Sequence, residues 1–235
     1  MTLAVRFRDA VSLAGRFPLL AGVSLDVAEG EVVHLRGPNG AGKTSLLRAC
    51  AGLVAIVSGE AVVLGHDLRT DRQSVRRDVG LLGHAGFLYD DLSVEDNVTF
   101  AVRAARGDVR RVAPALERLG LAGRLSAVPV GQLSAGQRRR SALAVLVARA
   151  PRLWLLDEPH AGLDAQGRSL LDALIAEERA RGTTLLVASH EHDRAGAICD
   201  RVVDIAGGCV HAPVTTTAEV PAAVAVLEGA GRDVA

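Results

Sequence analysis

Gly37-Pro38-Asn39-Gly40-Ala41-Gly42-Lys43-Thr44 is the stretch on which the fold turns. Before it, Glu31–Arg36 is a short apolar run that reads as a strand. After it, Gly42–Ala51 has helical content, with apolar residues at Leu46, Leu47 and Cys50. The eight residues satisfy G-x-x-x-x-G-K-[ST] in the strand–loop–helix setting which that pattern requires. Its glycines let the backbone wrap so that successive N–H groups point at phosphate oxygens, and the helix start adds its positive end. Lys43 can reach the β and γ phosphates as a point charge. The Thr44 hydroxyl can ligate Mg²⁺, with Ser45 beside it in the first helical turn. A glycine-rich turn capping a helix is the plainer reading, but the chain has 26 arginines and one lysine, and that lysine is Lys43.

A phosphate loop alone leaves kinases, GTPases and transport ATPases open. Further along, Arg152-Leu153-Trp154-Leu155-Leu156-Asp157-Glu158 is an apolar strand ending in two acids. Such a strand delivers carboxylates to the edge of a buried sheet, where the phosphates lie. Asp157 suits the metal, and Glu158, one residue on and facing elsewhere, suits the polarisation of an attacking water as a general base. An acidic strand-to-loop corner is the alternative, and it loses weight beside Lys43.

Composition sets the frame. The 235 residues, 49% hydrophobic and 23% charged, fit one substantial domain with an insertion rather than a multi-domain or disordered chain. Basic and acidic residues balance at 27 each, so no polyanionic partner is called for and no nucleic acid is expected. Cys50, Cys199 and Cys209 show no C-x-x-C spacing, which argues against a disulfide scaffold or a zinc knuckle and for a reducing compartment. The start of the chain has no apolar leader segment, and no apolar run approaches the ~18 residues of a spanning helix. Any membrane work is then expected to need another chain.

Alternating apolar residues in Leu3–Arg8 and Val23–Val27 read as an antiparallel pair. About 84–149 is helical, over Val94–Arg106, Val109–Leu119 and Ala135–Arg149. After it, Leu153–Leu156, Ala165–Ala180, Thr184–Ala188, Glu191–Ile198 and Arg201–Ile205 alternate strand and helix, the pattern of parallel strands with crossover helices. The expectation is an α/β chain with a mostly parallel core sheet (about 1–83 and 150–210), an N-terminal antiparallel β unit, a helical insertion (about 84–149) and a tail (211–235).

Leu133-Ser134-Ala135-Gly136-Gln137 falls about 90 residues after the phosphate loop and about 20 before the acidic pair. Ser134 followed by Gln137 is also an ordinary helix capping box, and both readings can hold. With this stretch, the chain resembles the ATP-binding subunits of ABC transporters, whose motifs recur in the same order across residues 1–210. The resemblance implies an ABC-type P-loop NTPase that hydrolyses ATP with Mg²⁺. It implies that the 133–137 signature contacts the γ-phosphate held by a second copy or a paralogous ATPase in an ATP-sandwich dimer. It also implies an integral-membrane permease as partner and a cytoplasmic location, peripheral on the inner face of the membrane. Glu158–Asp164 resembles the family's interface loop, ending at Asp164. Leu185–His190 resembles its switch strand, placing His190 near the γ-phosphate.

The chain also departs from the pattern. His84, in Val79-Gly80-Leu81-Leu82-Gly83-His84, stands where the family usually carries a glutamine that ligates Mg²⁺ and links to the permease. Imidazole suits a hard cation less well, which leaves a coupling role or a solvated loop position. The position expected for the adenine-stacking aromatic holds Ala14, and Phe17 is the nearest ring, a stacking candidate or a core residue. Arg138-Arg139-Arg140 reads as a solvated helix face and Trp154 as core. Within the family, Leu82-Gly83-His84, the Leu-Ser-Ala-Gly-Gln signature followed by arginines, and Arg36–Gly40 look most like the haem-exporter ATPases of cytochrome c maturation. Subunits of drug, lipid or polyketide exporters share many of these residues. A soluble ABC ATPase acting on ribosomes or DNA is a further alternative, which usually has two cassettes or a coiled-coil insertion.

Overall fold

The computed structural model describes residues 2–83, 87–190 and 199–211. His84, the helix expected over Glu191–Ile198 and residues 212–235 lie outside them.

Along the chain come β1 (Leu3–Ala14), β2 (Phe17–Ala28), β3 (Val32–Arg36), α1 (Lys43–Cys50), β4 (Ser58–Val63), β5 (His66–Asp67) and β6 (Val79–Leu82). Then follow α2 (Val94–Ala104), α3 (Val112–Arg118), α4 (Ala135–Arg149), β7 (Leu153–Asp157), α5 (Ala165–Ala180), β8 (Thr184–Ala188), β9 (Arg201–Ala206) and β10 (Cys209–His211). Four strands form an antiparallel sheet in the order β2-β1-β4-β5. Six form the core sheet in the order β10-β9-β3-β8-β7-β6, parallel throughout except for β9 with β10.

The order of the core sheet sets the position of the site. β3 and β8 are neighbours, yet the chain leaves β3 toward the β6 side and leaves β8 toward β9 on the other side. A crevice therefore opens at the carboxyl ends of these two strands, where open parallel sheets bind ligands.

Both faces of this sheet are covered. Leu153 and Leu155 of β7 enter the core shared with the antiparallel sheet and α1. Trp154 and Leu156 enter the core shared with the helices. This is why β7 is a continuous apolar run rather than an alternating one, and Trp154 is fully buried as expected. The antiparallel strands are longer than their alternating stretches, because a hairpin at Gly15 (φ 61°) carries the pairing on to Ala14 opposite Phe17. β4, β5, β6 and β10 were not read as strands beforehand. The helix expected over Val109–Leu119 divides into a 3-10 turn, Val109–Arg111, and α3, with Pro114 in the first turn of α3, where a missing N–H costs little. α4 begins at a capping box, with Ser134 Oγ accepting from Gln137 N (3.2 Å) and Gln137 Oε1 accepting from Ser134 N (2.9 Å). It ends at Ala150 in the left-handed region (φ 45°), directly before Pro151.

All three cysteines are free thiols. Burial pushes the Cys50 thiol up to about 12, which leaves it inert. No helix among the described residues is long and apolar enough to cross a membrane.

Candidate active site

The 37–44 loop leaves β3 and enters α1 through backbone that only glycine tolerates. Gly40 (φ 78°) and Gly42 (φ 110°) adopt positive φ, and a Cβ on Gly37 would lie 2.1 Å from Ile205 O. Arg36, one residue before, forks onto Asp204 of β9 (Nε–Oδ1 2.5 Å, Nη2–Oδ2 2.7 Å) and fixes the strand end from which the loop departs. Gly42 caps α1 without a side chain, so no side-chain oxygen takes up the first-turn N–H groups. Such first-turn N–H groups are the ones with which a helix start can bind an anion. Lys43 is 7% exposed and donates from Nζ to Gly37 O (2.6 Å) and Pro38 O (3.0 Å), two of the three bonds an ammonium can make.

Across the cleft, Thr44 Oγ1 donates to Asp157 Oδ2 at 2.8 Å. Asp157 ends β7 and is almost wholly buried. A hydroxyl and a carboxylate so placed are oxygen donors suited to a hard cation. Among the described residues no cluster of three or more His, Cys, Asp and Glu side chains is present to hold a metal.

Glu158 follows with φ 45°, unusual for a residue with a long side chain. Its N–H donates to Ala188 O (2.8 Å) at the end of β8, tying the β7 exit to the neighbouring strand. Its carboxylate meets His190: Oε2 accepts from His190 N (3.4 Å), and Oε1 lies 3.2 Å from His190 Nε2 without hydrogen-bond alignment. Asn39–Ser45, Asp157, Glu158, His190, Pro18 and Leu19 line one cleft of about 350 Å³. The two halves of the expected site, more than 110 residues apart in sequence at Thr44 and Asp157, thus come together. A larger groove, about 800 Å³, lies between Ser74–Asp78 and the end of α2. It holds four arginines and none of these residues, so size does not choose the site.

None of Leu133–Gln137 lines the cleft. The signature sits at the surface, with Ser134 and Ala135 exposed at the start of α4. Gly136 approaches Gly162 of the 158–164 loop closely enough that a Cβ on it would lie 3.7 Å from Gly162 O. Asp164 caps α5, its Oδ1 accepting from Gly167 N (2.7 Å). In the same loop His160 is buried and bonded through Nε2 to Asp172 Oδ1 (2.8 Å).

Phe17 is 78% exposed at the start of β2, so the core reading fails for it. The cleft is lined by Pro18 and Leu19 instead, neither of which had been singled out. His84 lies outside the described residues.

The arginine run needs correction. Arg138 pairs at the surface with Asp90, but Arg140 Nη1 reaches Leu119 O (3.4 Å) and Arg139 turns inward. Arg139 Nη1 donates to Gly83 O (2.6 Å), Nη2 to Glu158 O (2.8 Å) and Asp157 O (3.3 Å), and Nε to Pro159 O (3.3 Å). Burial pulls this guanidinium below its ordinary pKa, an effect partly offset by the Asp157 charge. A signal was present, because Arg139 stands four residues before Leu143 and seven before Leu146, on the packed stripe of α4.

The sequence profile of the ABC transporter family matches residues 20–161. The cytochrome c biogenesis ATP-binding export protein CcmA of Vibrio cholerae is 39% identical over 175 residues, 74% of this chain and 84% of that protein. The sulfate/thiosulfate import ATP-binding protein CysA 2 of Rhizobium meliloti is 37% identical over 88% of this chain, which spans only 59% of that protein's length. Among solved structures, a dimeric post-hydrolysis state of an ATP-binding cassette with ADP and Pi superposes with a TM-score of 0.81 at 25% identity, covering 89% of this chain and 97% of that one.

Proposed function

This chain belongs to the ABC transporter family as its ATP-binding and ATP-hydrolysing component, and from that premise we propose that it powers export of haem, or a haem-related cargo, for cytochrome c maturation. The observation that carries the cargo is the 39% identity to a cytochrome c biogenesis export protein over 74% of this chain, with other export proteins of that name 38% and 40% identical over 81% and 84% of it.

In the proposed mechanism, the loop amides and the α1 N-terminus bind the phosphates, and Lys43 exchanges carbonyl bonds for contacts to the β and γ oxygens. Thr44 and Asp157 would hold Mg²⁺, which would supply neutralisation of phosphate charge. Glu158 takes the proton of the attacking water, and His190, beside its carboxylate, orients that water against the γ-phosphate. The exposed Ser134, remote from its own cleft, faces the γ-phosphate bound by a second copy, so two chains close on two nucleotides. Positioning and electrostatics then account for the catalysis.

The partner is a membrane permease at the inner face of the cytoplasmic membrane. An exposed apolar patch supports this. Phe87 is exposed three residues after His84, and the Tyr89 and Phe100 rings meet edge to face with centroids 5.4 Å apart. A cytoplasmic segment of the permease would cover them.

Disruption of the gene tests the cargo. Loss of covalently haem-bearing c-type cytochromes, with growth on sulfate intact and rescue by wild type but not by Glu158→Gln, is the expected result. A sulfate requirement with normal c-type cytochromes would instead assign the chain to sulfate import, and c-type cytochromes unchanged in any medium would remove the haem reading.

A further inference from the structure

We propose that Arg139 is a positioning residue for hydrolysis, holding the backbone of Glu158 from the signature helix. The inference rests on the reading of Glu158 as the base. Three observations carry it. First, Arg139 is the side chain that spans the gap between α4 and the exits of two strands, bonding Gly83 after β6 and Asp157, Glu158 and Pro159 after β7. Second, the residue it holds most closely in the second segment is the one in a left-handed conformation (φ 45°), a state that persists only when its surroundings over-determine it. Glu158 N is fixed by Ala188 O at 2.8 Å, and its carbonyl accepts both Arg139 Nη2 at 2.8 Å and Ala161 N at 3.1 Å. With both ends of the residue pinned, the carboxylate is aimed at His190. Third, this is a half-buried charge bonded to neutral carbonyls, with no carboxylate among its hydrogen-bond partners in the described residues. Replacing the planar fork by a point charge therefore loses geometry rather than an ion pair.

The helix that presents Ser134 to one nucleotide is thus tied, five residues on, to the base acting on the other. Both lie on the same chain, so each subunit's signature and base are set in one frame.

The test is steady-state ATP turnover by the purified complex with its membrane partner, for Arg139→Ala, Arg139→Gln, Arg139→Lys, Arg140→Ala, Glu158→Gln and the double variant Glu158→Gln/Arg139→Ala. Arg139→Ala is expected to lower kcat about 10- to 100-fold with KM for ATP within about twofold, the size of effect that misplacing a catalytic group produces. Arg139→Lys should not restore kcat, because an ammonium cannot fork between Gly83 and Glu158. Arg140→Ala, which loses one long bond on the same helix, should keep it. If Arg139→Ala does not assemble, Arg139→Gln, which keeps one amide donor, carries the same expectation. The double variant should turn over no more slowly than Glu158→Gln, since Arg139 acts through that carboxylate. An unchanged kcat in Arg139→Ala or Arg139→Gln overturns the proposal. So does the same proportional loss in the Glu158→Gln background, which marks general damage to α4. Wild-type turnover of Glu158→Gln alone would instead overturn the base assignment, and is read separately.

Discussion

Glu158 is where several constraints meet: a strand end, a left-handed backbone, a bond to the next strand, and a carboxylate against His190. The acid pair was readable because an apolar run ending in two acids is rare in a sequence without a use for it. The backbone strain was not, since φ is a property of the fold. Arg139 shows the opposite failure. Three successive arginines suggest solvent by composition, yet the spacing to Leu143 and Leu146 already turned one of them inward. At Gly37 sequence and structure agree, and the consequence is measurable. Gly37→Ala should cost about 1–3 kcal/mol of stability and most ATP affinity, because its Cβ would lie 2.1 Å from the backbone oxygen of Ile205. Gly40→Ala meets nothing within 4 Å and suffers only the strain of its φ, about 1–2 kcal/mol. Urea unfolding and nucleotide titration compare the two. Equal behaviour would remove the steric account of the loop entry.

At the scale of elements, β7, α5 and β8 were legible nearly to the residue, because buried parallel strands are continuous apolar runs and the helix between them has a clear period. β4, β5 and β10 were missed for a physical reason. β5 and β10 have only two and three residues, β4 carries Gly59 near its start, and all three are strands by virtue of the neighbours they pair with. The start of α4 carries two demands on one side chain, since Ser134 caps its helix and is assigned to the γ-phosphate of a second copy. The demands can be separated. Ser134→Ala should lose about 1 kcal/mol of stability along with turnover. Ser134→Asp keeps a good N-cap and hence stability, but sets a negative charge against phosphate and should abolish turnover. If Ser134→Asp hydrolyses ATP normally in the complex with its membrane partner, the signature has only a structural role.

For the whole molecule, the order of the core sheet explains why the parts meet. β8 lies between β3 and β7, so His190 emerges between the phosphate loop and the two acids, and the crevice forms where the strand connections diverge. The α/β class and the parallel core follow from the strand–helix alternation. The proposed sharing of each site between two copies does not, and it is argued from a signature that does not line its own chain's cleft. The central claim is that each hydrolytic site combines Glu158 of one copy with Ser134 of the other. Its most direct test is ATP turnover by complexes that carry one Glu158→Gln copy and one Ser134→Asp copy, co-expressed with different tags and purified through both. Each variant alone should keep only a small residual turnover, while the mixed complex contains one site with both native residues and should recover up to about half of wild-type turnover. Turnover no higher than that of either variant alone would contradict the account, because the base and the signature serine would then belong to the same site on one chain.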